Sequence, residues 1–376
     1  MPQCKVAILF VNLKGNIGDF AILHSMLEML SIRHSNCRLL VVPARYLPRD
    51  ERRMSAFTAA LGRSFDLVDM PIREQRPPVW RWLVRKGFPA LARALYFRLM
   101  QFRALRIVPH VSGAAAIYCE NGDQWNGFVG LDMLATVTAL KPFVKPIRTF
   151  PFSINPATPD FLTPALLRRG LGGLDLPLTA RDVISLEVLR SLDIEARLVP
   201  DCVHWLAPVA AAVAPMSGRD PERILIAATG TPSKLRTTLE AAVRRFEGRP
   251  ICLVTTCERE DGAVYAEIAA RHGIEWMAPM TWQDLVAEFK VARVVVTNRL
   301  HGLILAGLAG APVLPVCDRK KAEAYAIETG VPHAARDLDA VEPELVEAVA
   351  RDREAVLACT ARYRDTCRAA LEAWLL

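Results

Sequence analysis

The sequence predicts an α/β protein of two Rossmann-like domains with a cleft between them. Three observations carry this reading. The chain has 376 residues, more than a single hydrophobic core usually serves. Short apolar runs alternate with stretches of helical periodicity, as in parallel sheets covered by helices. The alternation pauses at the Pro- and Ala-rich segment 206–221 and then begins again. This divides the chain into an N-terminal domain (1–205), a linker (206–221) and a C-terminal domain (222–376), with the last helices placed to pack back on the N-terminal domain.

In the first half, Lys5 to Val11 reads as a strand and Gly15-Asn16-Ile17-Gly18-Asp19 as a turn. Residues 19–33 follow as a helix, with Ile22, Leu23, Met26, Leu27 and Leu30 along one side. Arg38 to Val42 is a second strand, completing a β-loop-α-β unit. Ala114 to Cys119 is a buried strand that runs into Glu120-Asn121-Gly122-Asp123. A Pro-rich connection between 142 and 164 precedes a helix over 182–192 and a strand from Ala196 to Val199. In the second half, Arg223 to Ala228, Ile251 to Thr255, Arg293 to Thr297 and Pro312 to Val316 read as strands. Segments 233–247, 261–272, 281–290 and 301–309 read as helices. Two such halves joined by a linker describe a GT-B-like architecture. Ligands of open parallel sheets bind beyond the carboxyl ends of the strands, where each motif below falls.

Composition places the chain among ordinary folded proteins, with 52% hydrophobic and 23% charged residues, and excludes disorder and fibrous repeats. The nine cysteines are odd in number and lack a C-x-x-C pair. They read as reduced thiols of a cytoplasmic protein rather than a disulfide framework or zinc site. The apolar run after Lys5 is too short to cross a bilayer and is met at once by Asn12, Lys14 and Asn16.

The net charge of +7 is concentrated. Between residues 73 and 106 stand nine basic residues against one acid, Glu74, interleaved with Trp80, Trp82, Phe88, Tyr96, Phe97 and Phe102. That mixture suits a segment lying on an anionic membrane surface, and equally a solvated helix packed on its own domain. No nucleic-acid-binding module accompanies it.

The strongest motif is Asn298-Arg299-Leu300-His301-Gly302, where an apolar strand enters a polar turn and a helix opens. A helix N-terminus offers free backbone N–H groups to an anion. Arg299 adds a planar fork for carboxylate or phosphate, and His301 a proton exchanger near neutral pH. Asn12 to Asp19 is the equivalent turn after the first strand; there Asp19 reads as the helix N-cap. Arg181 beside Asp182 is a second candidate anion clamp. Glu120 and Asp123 cluster at a strand end, with Asp123 a candidate base and Trp125 a candidate platform for a sugar ring. Asp318 to Lys321 reads as a charged exposed loop. The remaining histidines (24, 34, 110, 204, 272 and 333) have no ligand spacing, and H-E-x-x-H, P-loop Lys and G-x-S-x-G are all absent. No metal or redox cofactor is therefore expected.

Four segments, in this order, resemble the polysaccharide pyruvyl transferase family: Gly15 to Leu23, Asn121 to Trp125, Ala180 to Ser185, and Arg299-Leu300-His301-Gly302. Gly310-Ala311-Pro312-Val313 is also similar, so the resemblance spans roughly residues 5–335. It implies transfer of pyruvate from phosphoenolpyruvate, the co-substrate, onto two hydroxyls of a glycan or lipid-linked sugar, giving a cyclic ketal and phosphate. It further implies that Arg181, Arg299 and Gly302 bind the donor and that His301 is the acid–base residue. Asp123, with Asn16, Asp19, Glu120 and Trp125, would face the acceptor. One departure is Glu120, which brings bulk and negative charge where many members have a run of glycines. A nucleotide-sugar glycosyltransferase and a membrane-associated scaffold of polysaccharide assembly are the alternative readings of the same chain.

Overall fold

The structure, a computed structural model, describes residues 4–13, 15–43, 50–68, 83, 85–120, 127–144, 146–154, 163–172, 174–175 and 177–375. Two five-stranded parallel sheets organise it. The N-terminal sheet comprises β1 (Lys5–Val11), β2 (Arg38–Pro43), β3 (Asp66–Leu67), β4 (Ala116–Cys119) and β5 (Ile147–Thr149) in the order β3-β2-β1-β4-β5. A two-stranded parallel pair, β6 (Leu178–Ala180) and β7 (Ala196–Leu198), joins it through a bridge from Ala180 to Phe152. The C-terminal sheet comprises β8 (Ile224–Ala227), β9 (Ile251–Val254), β10 (Glu275–Met277), β11 (Val294–Thr297) and β12 (Val313–Pro315) in the order β10-β9-β8-β11-β12. Apart from edge residues, the strands are buried apolar runs, as sheets covered on both faces require.

In both sheets the strand order reverses beside the first strand, between β1 and β4 and between β8 and β11. These are the topological switch points at which such sheets open a crevice. Residues 12–19 and Glu120 follow β1 and β4, and residues 228–229 and 298–302 follow β8 and β11. The motifs after β1, β8 and β11, with Glu120 after β4, therefore stand at these switch points, whereas Arg181 and Asp182 follow β6 of the two-stranded pair.

The halves are fastened by polar bonds as well as by packing. The Ile17 amide donates to the Thr256 carbonyl at 2.9 Å. Trp282 Nε1, on a fully buried ring, donates to His24 Nδ1 at 3.1 Å. The buried Arg53 guanidinium bonds the Gly15 carbonyl and lies 3.7 Å from Glu258. The C-terminal helix Arg353–Leu375 returns to the first domain, where Trp374 packs against Phe150 with ring centroids 5.1 Å apart. Its end is held by Arg33, which donates to the Leu375 carbonyl at 3.0 Å.

Several sequence expectations need correction. Cys4 and Cys37 form a disulfide, so the nine cysteines are not all thiols. The register of β1 on β2 sets Lys5 beside Arg38, which places the two preceding cysteines side by side. The other seven are free, and most are buried. At the start of the segment 206–221, a 3-10 turn at Cys202–Leu206 leads straight into the helix Ala207–Ala212. Leu206 and Ala210 there are fully buried. The Pro-rich connection contains β5 and the helix Pro164–Leu171, which has Thr163 as N-cap and Pro164 in its first turn. Among the described residues, no helix is long and apolar enough to cross a membrane.

His24 ties the interdomain contact to pH. Burial, aided by the nearby Arg63, lowers its pKa from 6.5 to about 4. Between those values the unfolded chain binds a proton that the folded chain refuses. The stability is therefore complete above pH 6.5 and declines as pH falls toward 4. Urea unfolding across this range should show a loss of roughly 3 kcal/mol from His24 alone, with a shallower pH slope in His24→Asn.

Candidate active site

The turn after β11 is folded tightly on itself. Thr297 Oγ1 donates to the Ala227 carbonyl at 2.5 Å and accepts the Arg299 N–H at 3.1 Å. A Cβ on Gly302 would lie 2.7 Å from that hydroxyl oxygen, so only glycine lets the helix Leu300–Ala309 begin this close to the strand. The Asn298 amide accepts from the Thr229 N–H at 2.9 Å and donates to its carbonyl at 3.0 Å, copying a sheet ladder between the loops after β8 and β11. Arg299 is the N-cap residue, and its side chain makes no cap bond. The first-turn N–H groups and their partial positive charge therefore remain at the crevice.

Arg299 turns away from that helix end. Its guanidinium pairs with the buried Asp261 and Nε donates to the Ala228 carbonyl at 3.3 Å. Burial, with Arg319 nearby, lowers its pKa to about 10, which leaves it charged at neutral pH.

His301 points toward the other domain. Its Nε2 is 3.5 Å from Asp201 Oδ2, while Gly18 packs directly on the opposite edge of the ring. A Cβ on Gly18 would fall 2.3 Å from Nδ1 and 2.7 Å from the His301 Cβ. No rotation about the side chain relieves a clash that close to its root. Gly18, in the first turn of the helix Ile17–Arg33 that follows β1, is thus the residue that lets the imidazole enter.

Asp201 is the centre of the arrangement. Lying after β7, it accepts from Arg181 Nη1 at 2.8 Å through Oδ2 and from the Val203 N–H at 3.0 Å through Oδ1. Burial by itself would raise its pKa, but Arg181, His301 and the Val203 amide outweigh that and hold the carboxyl far below the usual carboxylate range. Arg181 is itself buried, with Nε donating to Ser153 Oγ at 2.8 Å. Ser153 in turn donates to Asp182, which N-caps the helix Val183–Ser191 by accepting from the Ser185 N–H at 2.8 Å.

A cavity of about 170 Å³ opens beside these residues. Ser153, Arg181 and Ser185 line it from the first domain, with Leu300, Ile304, Lys320, Lys321 and Tyr325 from the second. Burial lowers the pKa of His204 in its wall to about 4, so that imidazole is neutral at physiological pH.

The structure sorts the sequence-derived candidates. Arg181 and His301 meet on one carboxylate, whereas Arg299 holds another. Asn16, rather than Asp19, is the N-cap: its side chain accepts from the Gly18 N–H at 3.1 Å, and Asp19 falls within the first turn. Asp19 instead accepts from Asn12 Nδ2 at 2.5 Å. The Asn12 backbone N–H donates to the buried Glu120 at 3.1 Å, so Glu120 orders the loop after β1. Asp123 and Trp125 lie outside the described residues. Of Asp318 to Lys321, Arg319 and Lys320 are exposed as expected, but Lys320 opens the helix Lys320–Thr329 and Asp318 is largely buried against Asn298 and Lys234. Sequence reasoning missed Asp201, although Pro200-Asp201 directly after β7 is a polar strand end like the others.

With this geometry established, likeness to known proteins can be placed. Residues 16–317 match the family described as polysaccharide pyruvyl transferase. The chain belongs to that family. Among curated proteins, no sequence matches it. By fold, it is similar to a Listeria monocytogenes protein assigned as a UDP-N-acetylglucosamine 2-epimerase, with a TM-score of 0.61, 13% identity and coverage of 99% of this chain and 97% of that one. The UDP-GlcNAc 2-epimerase of Neisseria meningitidis, solved with UDP-GlcNAc, gives 0.58 at 11% identity, covering 98% and 100%. That of Methanocaldococcus jannaschii gives 0.58 at 10% identity, covering 92% of each chain. At such identities the likeness concerns the fold alone, the two-domain GT-B-like arrangement with a cleft. The matched segment includes Gly18, Arg181, Asp201 and His301.

Removing the central carboxylate should be expensive. Asp201→Ala leaves a buried guanidinium without its partner, and we expect a loss of about 3–5 kcal/mol in urea unfolding. Asp201→Asn, which keeps the shape and an acceptor oxygen, should lose less.

Proposed function

We propose that this member of the family transfers pyruvate from phosphoenolpyruvate to two hydroxyls of a cell-surface or exopolysaccharide precursor, forming a ketal and releasing phosphate. The observation that supports it best is the placement of His301, held between Gly18 and the Asp201 carboxylate beside a cavity lined by Arg181, Lys320 and Lys321. Phosphoenolpyruvate carries a carboxylate and a phosphate. Cationic side chains and the open helix end at Leu300 suit both.

The chemistry needs one proton exchanger and no redox cofactor. A protonated His301 gives its proton to the methylene carbon of the donor, making C2 electrophilic. A sugar hydroxyl adds to C2, its proton passing to a base. Phosphate leaves with the electrons of its C–O bond, and the second hydroxyl closes the ring as its proton passes to the now neutral His301. The Asp201 carboxylate, 3.5 Å from Nε2, orients the ring. Asp123 is the candidate base toward the acceptor, with Trp125, Glu120, Asn16 and Asp19 on the acceptor side. Arg299, paired with Asp261, serves the donor by fixing the turn that presents Leu300 to Gly302.

The test is phosphate release from phosphoenolpyruvate across a panel of free and lipid-linked glycosides. His301→Ala should reduce turnover by about 10²–10⁴-fold while phosphoenolpyruvate still protects against thermal unfolding. Gly18→Ala, whose methyl would meet the root of the His301 side chain, should reduce turnover and also lower stability by about 1–3 kcal/mol. Turnover unaffected by His301→Ala would remove that residue from the mechanism. Protection by UDP-sugars, with none by phosphoenolpyruvate, would replace this reading with nucleotide-sugar transfer.

A further inference from the structure

The helix Pro89–Ala104 carries two apolar faces, and only one is used by the fold. Ala92, Tyr96, Met100 and Ala104 are buried, and the helix packs on Gly127–Leu140. Nearly opposite, Phe88, Leu91, Leu95, Phe102 and Leu105 recur at spacings of three, four, seven and three residues along one stripe, with Arg98 at the position the long gap skips. These five large side chains are between 43% and 66% exposed. Scattered exposed leucines need no explanation, but an aligned row on one helix does.

The charge around the row identifies what it would meet. Arg98 stands in line with the apolar residues, Arg106 adjoins Leu105, and Arg85 and Lys86 precede Phe88; all four are exposed. No acidic residue occurs anywhere between Glu74 and Glu120. A second copy of the same face would bring like charges together, so self-association by this stripe is disfavoured. A nucleic acid would satisfy the cations but leave the row of Phe and Leu side chains uncovered. An anionic phospholipid surface satisfies both, taking the apolar side chains below the headgroups and the cations among them.

We propose that the stripe Phe88–Leu105 is a peripheral membrane-docking face for anionic phospholipid, holding the enzyme on the surface. This stands apart from the reaction assigned above, since it uses none of the cavity residues. The test is co-sedimentation of the full chain with phosphatidylglycerol–phosphatidylcholine vesicles, with pure phosphatidylcholine as reference. Binding should require phosphatidylglycerol and weaken with added salt. Arg98→Glu with Arg106→Glu should weaken it by about tenfold or more, and Leu95→Gln with Phe102→Gln should abolish it. Because these residues are exposed, the variants should retain wild-type thermal unfolding, as well as phosphate release with a water-soluble acceptor. Equal binding to neutral vesicles, or vesicle binding unchanged in both double variants, would overturn the proposal. So would concentration-dependent dimerisation that Leu95→Gln with Phe102→Gln removes, which would assign the stripe to a second copy.

Discussion

The carboxylate of Asp201 is the constraint on which the rest of the site depends. It is buried, and burial alone would favour its neutral form. Arg181, the Val203 amide and His301 together keep it charged. A buried ion pair of this kind is weak evidence for added stability, because desolvation consumes much of the Coulombic gain. Its value lies in geometry: Arg181 reaches Asp201 only if β6 and the turn after β7 are correctly placed, and His301 reaches it only if the second domain is docked. One carboxylate thus makes the orientation of the His301 imidazole conditional on the docking of two domains.

Gly18 sets the other side of that condition. Its missing Cβ is the space into which the His301 ring fits, so the start of the helix Ile17–Arg33 and the turn after β11 are matched surfaces. The loop after β1 is ordered in its turn by Glu120 and Asn12. In the sequence Glu120 looked like an intrusion of bulk and charge into a segment expected to be glycine-rich. In the fold it is buried at the end of β4, and its carboxylate accepts a backbone N–H that the end of the β1–β4 pairing leaves open. The same residue that breaks the family pattern therefore supplies a local hydrogen bond.

Legibility from sequence followed element length only in part. The longer strands, β1, β2, β4, β8, β9 and β11, were readable as runs of apolar residues, and so were the three-residue β7 and β12. Strands β3, β5, β6 and β10, of two or three residues each, were not read, and neither were the helices Glu51–Leu61 and Gly127–Leu140. The helix Lys320–Thr329 begins with a run of charges that resembles a loop, and only its packing on Leu300–Ala309 reveals the buried Ala322 and Tyr325. The disulfide was hidden for a related reason. Cys4 and Cys37 are 33 residues apart, and parallel register, not spacing, makes them neighbours.

The sequence by itself determined the two-domain α/β plan and the positions at which polar groups leave apolar strands, because both are written in local periodicity. It also marked Arg181, Arg299 and His301 as groups able to meet an anion or move a proton. Only the tertiary structure decided their partners. Arg299 belongs to Asp261 and Arg181 to Asp201, which His301 shares. A buried charge is defined by what neutralises it, and here the neutralising groups come from loops brought together by sheet register and domain docking. No window of neighbouring residues contains that information.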